Sequence, residues 1–249
     1  MYEQTIGRLP QWAQPVAEYI LYTGVPNTLK IAAISVAISV IVGVLLGTLM
    51  TIEIAPVRAA VRLYIEVWRG LPIIVTIFLL YFAIPTLADE LHIGVLRQVA
   101  DPLRASIIGL GLWGSAQIAE ATRGAVQSIP KEQHEASAAL GFGWLGRHVN
   151  VILPQALRRL IPPLVGLSVG VIQNSTLASI LGVPEVLETA QRSTNRLAVP
   201  TVDPATLAIE GGDSHAFEIY IAVFVLFFVI SFPLTRLAAY LERRLVAAG

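Results

Sequence analysis

Long uncharged runs constrain the fold of this chain more than any other feature. The chain is uncharged from Ile31 to Ile52 and from Leu160 to Pro184, and about 20 apolar residues are enough for a helix to cross the hydrocarbon core of a bilayer. Shorter uncharged runs lie at Gly70–Ala88, Ala105–Ala119 and Ile219–Thr235. We therefore predict an all-α membrane protein with about five transmembrane helices, near residues 25–51, 63–84, 104–127, 158–182 and 217–240.

The composition agrees with this class and excludes several kinds of chemistry. Hydrophobic residues make up 55% of the chain, and the mean hydropathy is +0.70. The chain has no cysteine, which excludes disulfides and thiol nucleophiles. His134-Glu135 lacks the second histidine of a zinc helix motif, and no Gly-x-x-x-x-Gly-Lys-Ser/Thr phosphate loop is present. We expect neither a catalytic site nor a metal site.

The basic residues predict how the chain crosses the membrane. The formal net charge is zero, but most of the 17 Lys and Arg residues fall on one predicted face, and this face is normally cytoplasmic. We therefore predict a multi-pass protein of the bacterial cytoplasmic (inner) membrane, with the amino terminus outside and the carboxyl terminus in the cytoplasm.

The predicted organisation is an external amino-terminal segment followed by one transmembrane domain. The segment covers residues 1–24 and the domain residues 25–245, which include a cytoplasmic loop at 130–153 and an external loop at 185–216. Neither external connection has the ~100 residues of a typical folded domain. An extracellular receptor for a solute would therefore be another chain.

A stripe of small residues lies on one face of the first predicted span. Ser35, Ser39, Gly43 and Gly47 recur at a spacing of four, and such a stripe allows two helices in lipid to approach closely. The stripe could pack within one subunit or form a dimer seam, and the first interpretation is favoured because the motif is common in apolar helices.

The predicted cytoplasmic loop contains a short charged helix bounded by proline and glycine. Pro130 suits the first turn of a helix, Glu135 suits the positive end of the helix dipole, and Gly141 suits the C-terminal cap. The apolar face of this helix is small and shallow. Such a helix can enter a groove of a partner protein; the alternative, that it lies on the membrane, is less favoured because the bulky side chains of lipid-bound helices are missing.

Several motifs together resemble a known family. Glu135-Ala136-Ser137, Gly141 and Ile152-Leu153-Pro154 resemble the cytoplasmic signature of permease subunits of ATP-binding-cassette (ABC) importers, with Ser137 in an alanine position. Further motifs resemble the polar amino-acid uptake branch, and Leu71 and Gln117 depart from its usual residues. These further motifs are Arg69–Pro72, Ala119-Glu120, Arg123-Gly124, Pro154–Arg159, Asn174–Leu177 and Gly182–Glu185.

The resemblance implies a type I importer bundle whose coupling helix docks a separate ATPase. It implies an ATPase dimer, a second permease subunit, identical or related, and an extracytoplasmic amino-acid-binding protein as partners. ATP and magnesium would bind to the ATPase, so this chain would bind no cofactor and would be a transport subunit, not an enzyme. Docking would use residues 131–146, and above all Glu135, Ala136, Ser137, Ala139, Leu140 and Gly141.

Polar side chains inside the predicted spans are candidates for the substrate path, since such groups are costly in a membrane. Glu120 could accept a hydrogen bond from a substrate ammonium group, or it could only form an i, i+3 pair with Arg123. The polar run in the fourth span could bind a substrate carboxylate, or it could hydrogen-bond between helices. The predicted path residues are Thr76, Gln117, Glu120, Gln173, Asn174, Ser175 and Thr176.

Two other classes of function compete with an ATP-driven importer. A secondary transporter or channel driven by an ion gradient would favour an internal inverted repeat, and no repeat is evident between the halves of the sequence. A scaffold protein would have no use for the polar run from Gln173 to Thr176. The residues leave open which amino acid is carried, whether the two permeases are identical, and whether the binding protein is free or anchored.

Overall fold

The computed structural model describes residues 10–202, 209–210 and 212–246. Nearly all of these residues are helical. The α-helices are α1 Ala13–Tyr19, α2 Val25–Leu49, α3 Ala55–Gly70, α4 Ile73–Phe78, α5 Ile84–Glu90, α6 Pro102–Gln127, α7 Lys131–Ala139, α8 Trp144–Arg147, α9 Leu153–Asn174, α10 Val186–Leu197 and α11 Ala216–Val246. Single π-helical turns occupy Ile20–Gly24, Leu79–Ala83 and His148–Ile152, and 3-10 turns occupy Gly94–Ala100 and Ser175–Leu181.

Strand structure is limited to one short antiparallel pair in the described part of the chain. The strands are β1, Thr201–Val202, and β2, Ile209–Glu210, with Thr201 opposite Glu210 and Val202 opposite Ile209. The prediction of a helical membrane protein is therefore confirmed.

Four stretches of described helix are long and apolar enough to cross a membrane: Ala13–Leu49, Ile73–Glu90, Trp144–Leu181 and Ala216–Arg244. The remaining predicted span, 104–127, corresponds to α6, which has 26 residues and is therefore long enough. Glu120 and Arg123 near its end make it less apolar than the other four. Much of α6 is buried against neighbouring helices, so it needs less apolar surface than a helix that faces lipid.

The predicted span at 63–84 is wrong, because the chain breaks at Leu71-Pro72. Leu71 is extended, with φ −84° and ψ 136°, so that α3 ends at Gly70 and the next helix begins at Ile73. The cause is Pro72, since a proline ring disfavours helical geometry in the residue before it. What precedes the break is a separate amphipathic helix that buries Val61 and Ile65.

Two other predicted span boundaries also differ from the structure. The first apolar helix begins at Ala13 and continues into α2, so residues 13–24 do not form a separate segment at the level of secondary structure. The fourth begins at Trp144 and passes through Pro154 without a break. Pro154 is tolerated because it lies in the first turn of α9 after a π-helical turn, where a missing N–H costs little.

Contacts between residues divide the chain into two compact units. One consists of described residues within 1–30 and 176–230, and the other of described residues within 31–175 and 231–249. In the first unit α10 packs into a core made by Ile20, Val186, Ala190, Ile219 and Val223. The stretch that we predicted only as the external loop 185–216 therefore contains a helix that belongs to a core.

In the second unit the small-residue stripe of α2 packs against α6. The hydroxyls of Ser35 and Ser39 donate to backbone carbonyls of α6 at 3.1 and 3.4 Å. A Cβ atom at Gly43 or Gly47 would lie only 2.6 or 2.3 Å from atoms of α6. The predicted packing of this stripe within one subunit is thus confirmed, since any larger residue would push the two helices apart.

Candidate functional site

The predicted charged helix is present as α7, and its ends follow the signals in the sequence. Pro130 is its N-cap residue and Gly141 follows it with a φ of +83°. The backbone N–H of Phe142 donates to the carbonyl of Ser137 at 3.2 Å, and that of Gly141 to Ala138 at 2.9 Å. These two bonds form a Schellman cap, which requires a left-handed residue at the position of Gly141.

Most of the predicted docking residues of α7 face outward. Leu140 has 78% of its surface exposed. The other exposed members are Glu135, Ala136, Ala139 and Gly141. Together they form a shallow surface of one carboxylate, two methyl groups and one isobutyl group, which we call the α7 surface.

Ser137 is the exception among the predicted docking residues, because it faces inward. Only 2% of its surface is exposed, and its hydroxyl donates to the carbonyls of Gln133 and His134 at 2.8 and 2.9 Å. Both acceptors belong to the preceding turn of the same helix, a common arrangement for serine in helices. The side chain of Ser137 is therefore not part of the α7 surface.

The segment after α7 is held against the end of α2 by a buried histidine. The ring of His148 stacks on Trp144 with centroids 4.3 Å apart, and its Nε2 lies 2.9 Å from the hydroxyl of Thr51. The indole N–H of Trp144 donates to the carbonyl of Thr51 at 3.4 Å. Burial, with a smaller contribution from Arg147, lowers the pKa of nearby His134. The contacts among Thr51, Trp144 and His148 form a base that holds the segment after α7 against the end of α2.

Two of the predicted path residues, Gln117 and Glu120, lie together in a polar cluster on α6. Arg123 donates to both oxygens of Glu120, at 2.8 and 2.5 Å, while Arg69 approaches the same carboxylate to 4.0 Å. The Nε of Arg69 also donates to the Oε1 of Gln117 at 3.3 Å. The structure thus shows the ion pair that we weighed against a substrate role, extended by one arginine from α3.

The other predicted path residues lie on α4 and around the end of α9. The amide of Asn174 donates to the carbonyl of Gly170 at 2.8 Å, and the hydroxyl of Ser175 to that of Ile172 at 2.7 Å. Thr76 is fully buried on α4. Gln173 is exposed near the end of α9, and Thr176 follows in a 3-10 turn. Substrate contact by these residues stays a prediction.

The sequence reasoning missed a buried carboxylate in the first unit. Glu185 has no exposed surface and caps α10 by accepting the backbone N–H groups of Leu187 and Glu188 at 3.0 and 2.8 Å. Burial raises the pKa of Glu185 to about 7, although the bonds from Leu187, Glu188 and Thr28 act in the opposite direction. The spacing of Val186 and Ala190 after this glutamate is the signal that could have revealed the helix.

This carboxylate joins the start of α2 to the start of α10. The hydroxyl of Thr28 donates to Glu185 at 3.4 Å and accepts the N–H of Val186 at 3.1 Å. The side-chain amide of Asn27 donates to the carbonyl of Pro184 at 2.9 Å. We call these five residues the α10 clip; its polar groups are satisfied within the chain.

Comparison with known proteins identifies the family. The family described as binding-protein-dependent transport system inner membrane component matches residues 39–247. This chain belongs to that family. It is therefore a membrane-spanning transport permease, in agreement with the resemblance of its loop and of its spans.

Curated relatives and solved structures support this assignment. The glutamine transport system permease protein GlnP of Escherichia coli K12 is 36% identical over 182 residues, which cover 73% of each chain. The inner membrane amino-acid ABC transporter permease protein YhdY of the same strain is 31% identical over 89% of this chain. The chain spans about half of that longer relative, 55% of its length.

The fold agrees with those of solved importer permeases. A crystal structure of an amino acid ABC transporter superimposes with a TM-score of 0.73 at 24% identity, covering 95% of this chain and 100% of the other. The MetNI methionine ABC transporter in an inward-facing conformation gives 0.67 at 20% identity, covering 92% and 98%. The predicted type I importer fold is confirmed, and an importer permease is favoured over a gradient-driven transporter.

Proposed function

We propose that this chain is the permease subunit of an ATP-driven importer for polar amino acids. The observation that carries the proposal is the α7 surface, which presents Glu135, Ala136 and Leu140 to the outside on a rigidly capped helix. An exposed leucine beside small residues is suited to a groove in a partner protein, because burying it there removes apolar surface from water. In this proposal α7 is the coupling helix.

The first proposed partner is a separate ATPase. The ATPase would bind ATP and magnesium, and this chain would bind neither, since its sequence has no phosphate loop. Contact would be made by the α7 surface and by the rest of residues 131–146. Ser137 would lie behind this contact, because its side chain faces inward.

The proposal includes two further partners and an orientation. A second permease, identical or related, would complete the translocation path, and an extracytoplasmic binding protein would deliver the solute. The amino terminus would lie outside and the carboxyl terminus in the cytoplasm, as the distribution of Lys and Arg indicates. The names of the relatives, which mention glutamine and amino acids, support an amino-acid substrate.

The polar groups near the spans are the proposed contacts for that substrate. An amino acid presents an ammonium and a carboxylate, so acceptors and donors are both needed. Gln117 and Gln173–Thr176 offer both kinds, whereas Glu120 is already bonded to Arg123. We propose that Glu120 participates only if its bonds to Arg123 open during transport.

The test is ATP hydrolysis in proteoliposomes that contain this chain together with the products of adjacent genes. Each candidate polar amino acid is added with and without the binding protein. We expect hydrolysis and uptake to rise with one amino acid and to be lost in the variant Glu135→Lys. Uptake that follows an ion gradient without an ATPase would overturn the proposal.

The matched control is the variant Glu242→Lys. Glu242 is also an exposed glutamate and lies on the same predicted face of the membrane, near the end of α11. The variant makes the same change of charge as Glu135→Lys, but away from the α7 surface. We expect it to retain hydrolysis and uptake, so that a loss specific to Glu135→Lys reports on docking and not on net charge.

A further inference from the structure

A groove rich in arginine runs along the second unit beside α7. Three neighbouring cavities of about 560, 290 and 280 Å³ share Met50 in their walls. Five arginines and three glutamates line them, an excess of two positive charges. We call this surface the arginine groove; its arginines are Arg58, Arg62, Arg69, Arg123 and Arg147.

The arginines of the groove fall into two groups. Arg69 and Arg123 surround Glu120, and their charges are compensated there. Arg58 and Arg62 lie one turn apart on α3 and are exposed; neither has a hydrogen bond or an ion pair among the described residues.

Arg147 provides a donor at the other end of the groove. Its Nε is buried and has no hydrogen-bond partner in the part of the chain that the structure describes. A buried donor without a partner is unfavourable, so a ligand that accepts hydrogen bonds would stabilise Arg147 in this place. Arg58 and Arg147 line the same cavity, next to His134 and Trp144.

The helix that carries Arg58 and Arg62 also has an exposed apolar side. Leu63 has 63% of its surface exposed and Val67 is exposed as well. The opposite side of α3 is held by Val61 and Ile65, which pack into a core with Met50 and Ala119. A helix with an apolar exposed side and a basic edge is suited to the boundary between headgroups and acyl chains.

We propose that the arginine groove binds the phosphate group of an anionic lipid headgroup. Arg58 and Arg62 bind the phosphate through charge-assisted hydrogen bonds in the larger cavity. Arg147 lines the adjoining cavity together with Arg58 and binds the part of the headgroup that extends there. Guanidinium groups suit this ligand because their planar forks match phosphate oxygens. We assign the phosphate to a lipid because the exposed apolar residues Leu63 and Val67 of α3 can contact acyl chains. A soluble phosphate would leave both residues without an apolar partner.

Native mass spectrometry of the full chain in detergent tests this proposal. The protein is titrated with dioleoylphosphatidylglycerol and, separately, with dioleoylphosphatidylcholine. We expect one phosphatidylglycerol to be retained with at least about tenfold preference over phosphatidylcholine, because the choline cation offsets the phosphate charge and is repelled by the arginines. Removing the three groove arginines should abolish this preference; the variant combines Arg58→Gln, Arg62→Gln and Arg147→Gln.

Two matched variants separate the groove from net charge and from folding. The first removes three exposed arginines elsewhere, through Arg97→Gln, Arg104→Gln and Arg196→Gln, and should keep the preference. The second replaces the groove arginines by lysine, through Arg58→Lys, Arg62→Lys and Arg147→Lys. It keeps every charge that guides insertion but loses the fork geometry, so we expect about a threefold loss of affinity.

Three results would overturn the proposal. One is equal retention of phosphatidylglycerol by the groove variant and by the variant with three glutamines elsewhere. Another is equal retention of both lipids by the unmodified protein. If millimolar inorganic phosphate then bound in the groove, the groove would be a site for a soluble anion. The last is a groove variant that keeps its lipid but no longer copurifies with the ATPase, which would make the groove a protein contact.

Discussion

Helices α7 and α10 are both short and polar, yet they use their carboxylates in opposite ways. In α7, of nine residues, Glu135 is exposed and Ser137 is the one buried residue. In α10, of 12 residues, six are buried and its cap Glu185 has no exposed surface. Exposed surface thus separates α10, whose polar residues belong to the core of their own chain, from α7, whose side chains are available to a partner.

The energetic consequences of the two arrangements differ. The polar groups of the α10 clip find their partners within the chain, so changes there should lower the stability of the protein. Among the residues that the structure describes, the exposed side chains of the α7 surface have no such partners, so changes there should affect coupling and not stability.

The largest expected effect is the loss of transport in Leu140→Asp. A carboxylate at this position would enter the groove of the ATPase without a partner, and burying an unpaired charge costs several kcal/mol. We expect ATP-driven uptake to fall at least about 100-fold, measured in proteoliposomes with the ATPase present. The melting temperature of the permease alone should not change, because Leu140 is exposed there.

Leu91→Asp is the control for this substitution. Leu91 is also an exposed leucine at the end of a helix, with 57% of its surface accessible, but it follows α5 and lies outside the α7 surface. Uptake should remain within about twofold of the unmodified protein. Equal losses in both variants would show that any new charge is harmful, and the α7 surface would have no special role.

Glu185→Ala should have the next largest effect, on stability. The substitution removes a helix cap and leaves the N–H groups of Leu187 and Glu188 without acceptors in a buried place. We expect a loss of about 2–3 kcal/mol, measured as a lower melting temperature in detergent. Glu90→Ala, at an exposed glutamate, should change it by less than about 0.5 kcal/mol. A melting temperature unchanged by Glu185→Ala would mean that the clip does not contribute to stability.

The sequence predicted the parts of this fold that depend on local patterns. The ends of α7 followed from Pro130 and Gly141, because helix caps depend on neighbours in the chain. The stripe from Ser35 to Gly47 predicted a close helix contact, because small residues at a spacing of four leave space along one face. Hydropathy alone predicted one continuous span across Leu71-Pro72, because the average over a window of apolar residues is insensitive to one extended residue.

The candidate site was less predictable, because burial is decided by distant residues. Thr28 contacts Glu185 although 157 positions separate them in the chain, and no residue pattern near Glu185 predicts this partner. In α7 the sequence placed Ser137 with the docking residues, whereas the structure turns its side chain inward. The spacing of residues predicts which of them share a face of α7. Which face is turned outward depends on the base formed by Thr51, Trp144 and His148.

The dependence of stability on pH gives a smaller effect at the clip. The pKa of Glu185 is raised to about 7, so its protonated form is favoured by folding. The stabilisation is complete below the unfolded pKa of about 4.5 and is lost as the pH rises through 7. Between pH 6 and pH 7.5 we expect a loss of about 1 kcal/mol relative to Glu185→Gln, followed by thermal melting in detergent.

The difference from Glu185→Gln is the informative quantity here. His134 has a lowered pKa and contributes its own dependence on pH, but this contribution is common to both proteins and cancels. A glutamine cannot titrate, so its difference from the unmodified protein isolates the carboxylate. Parallel melting curves over this range would show that Glu185 does not change its charge there, and that its hydrogen bonds outweigh its burial.

The smallest expected effect is that of Ser137→Ala in α7. Within the described part of the chain the hydroxyl of Ser137 bonds only to carbonyls of its own helix, and alanine favours a helix slightly more than serine does. We expect a change in stability of less than about 0.5 kcal/mol and uptake within about twofold, measured in the same proteoliposomes. If Ser137→Ala abolished uptake while the protein remained folded, the hydroxyl itself would contact the ATPase. In that case α7 would have to rotate when it docks, and the exposed residues named here would not be the ones that form the contact.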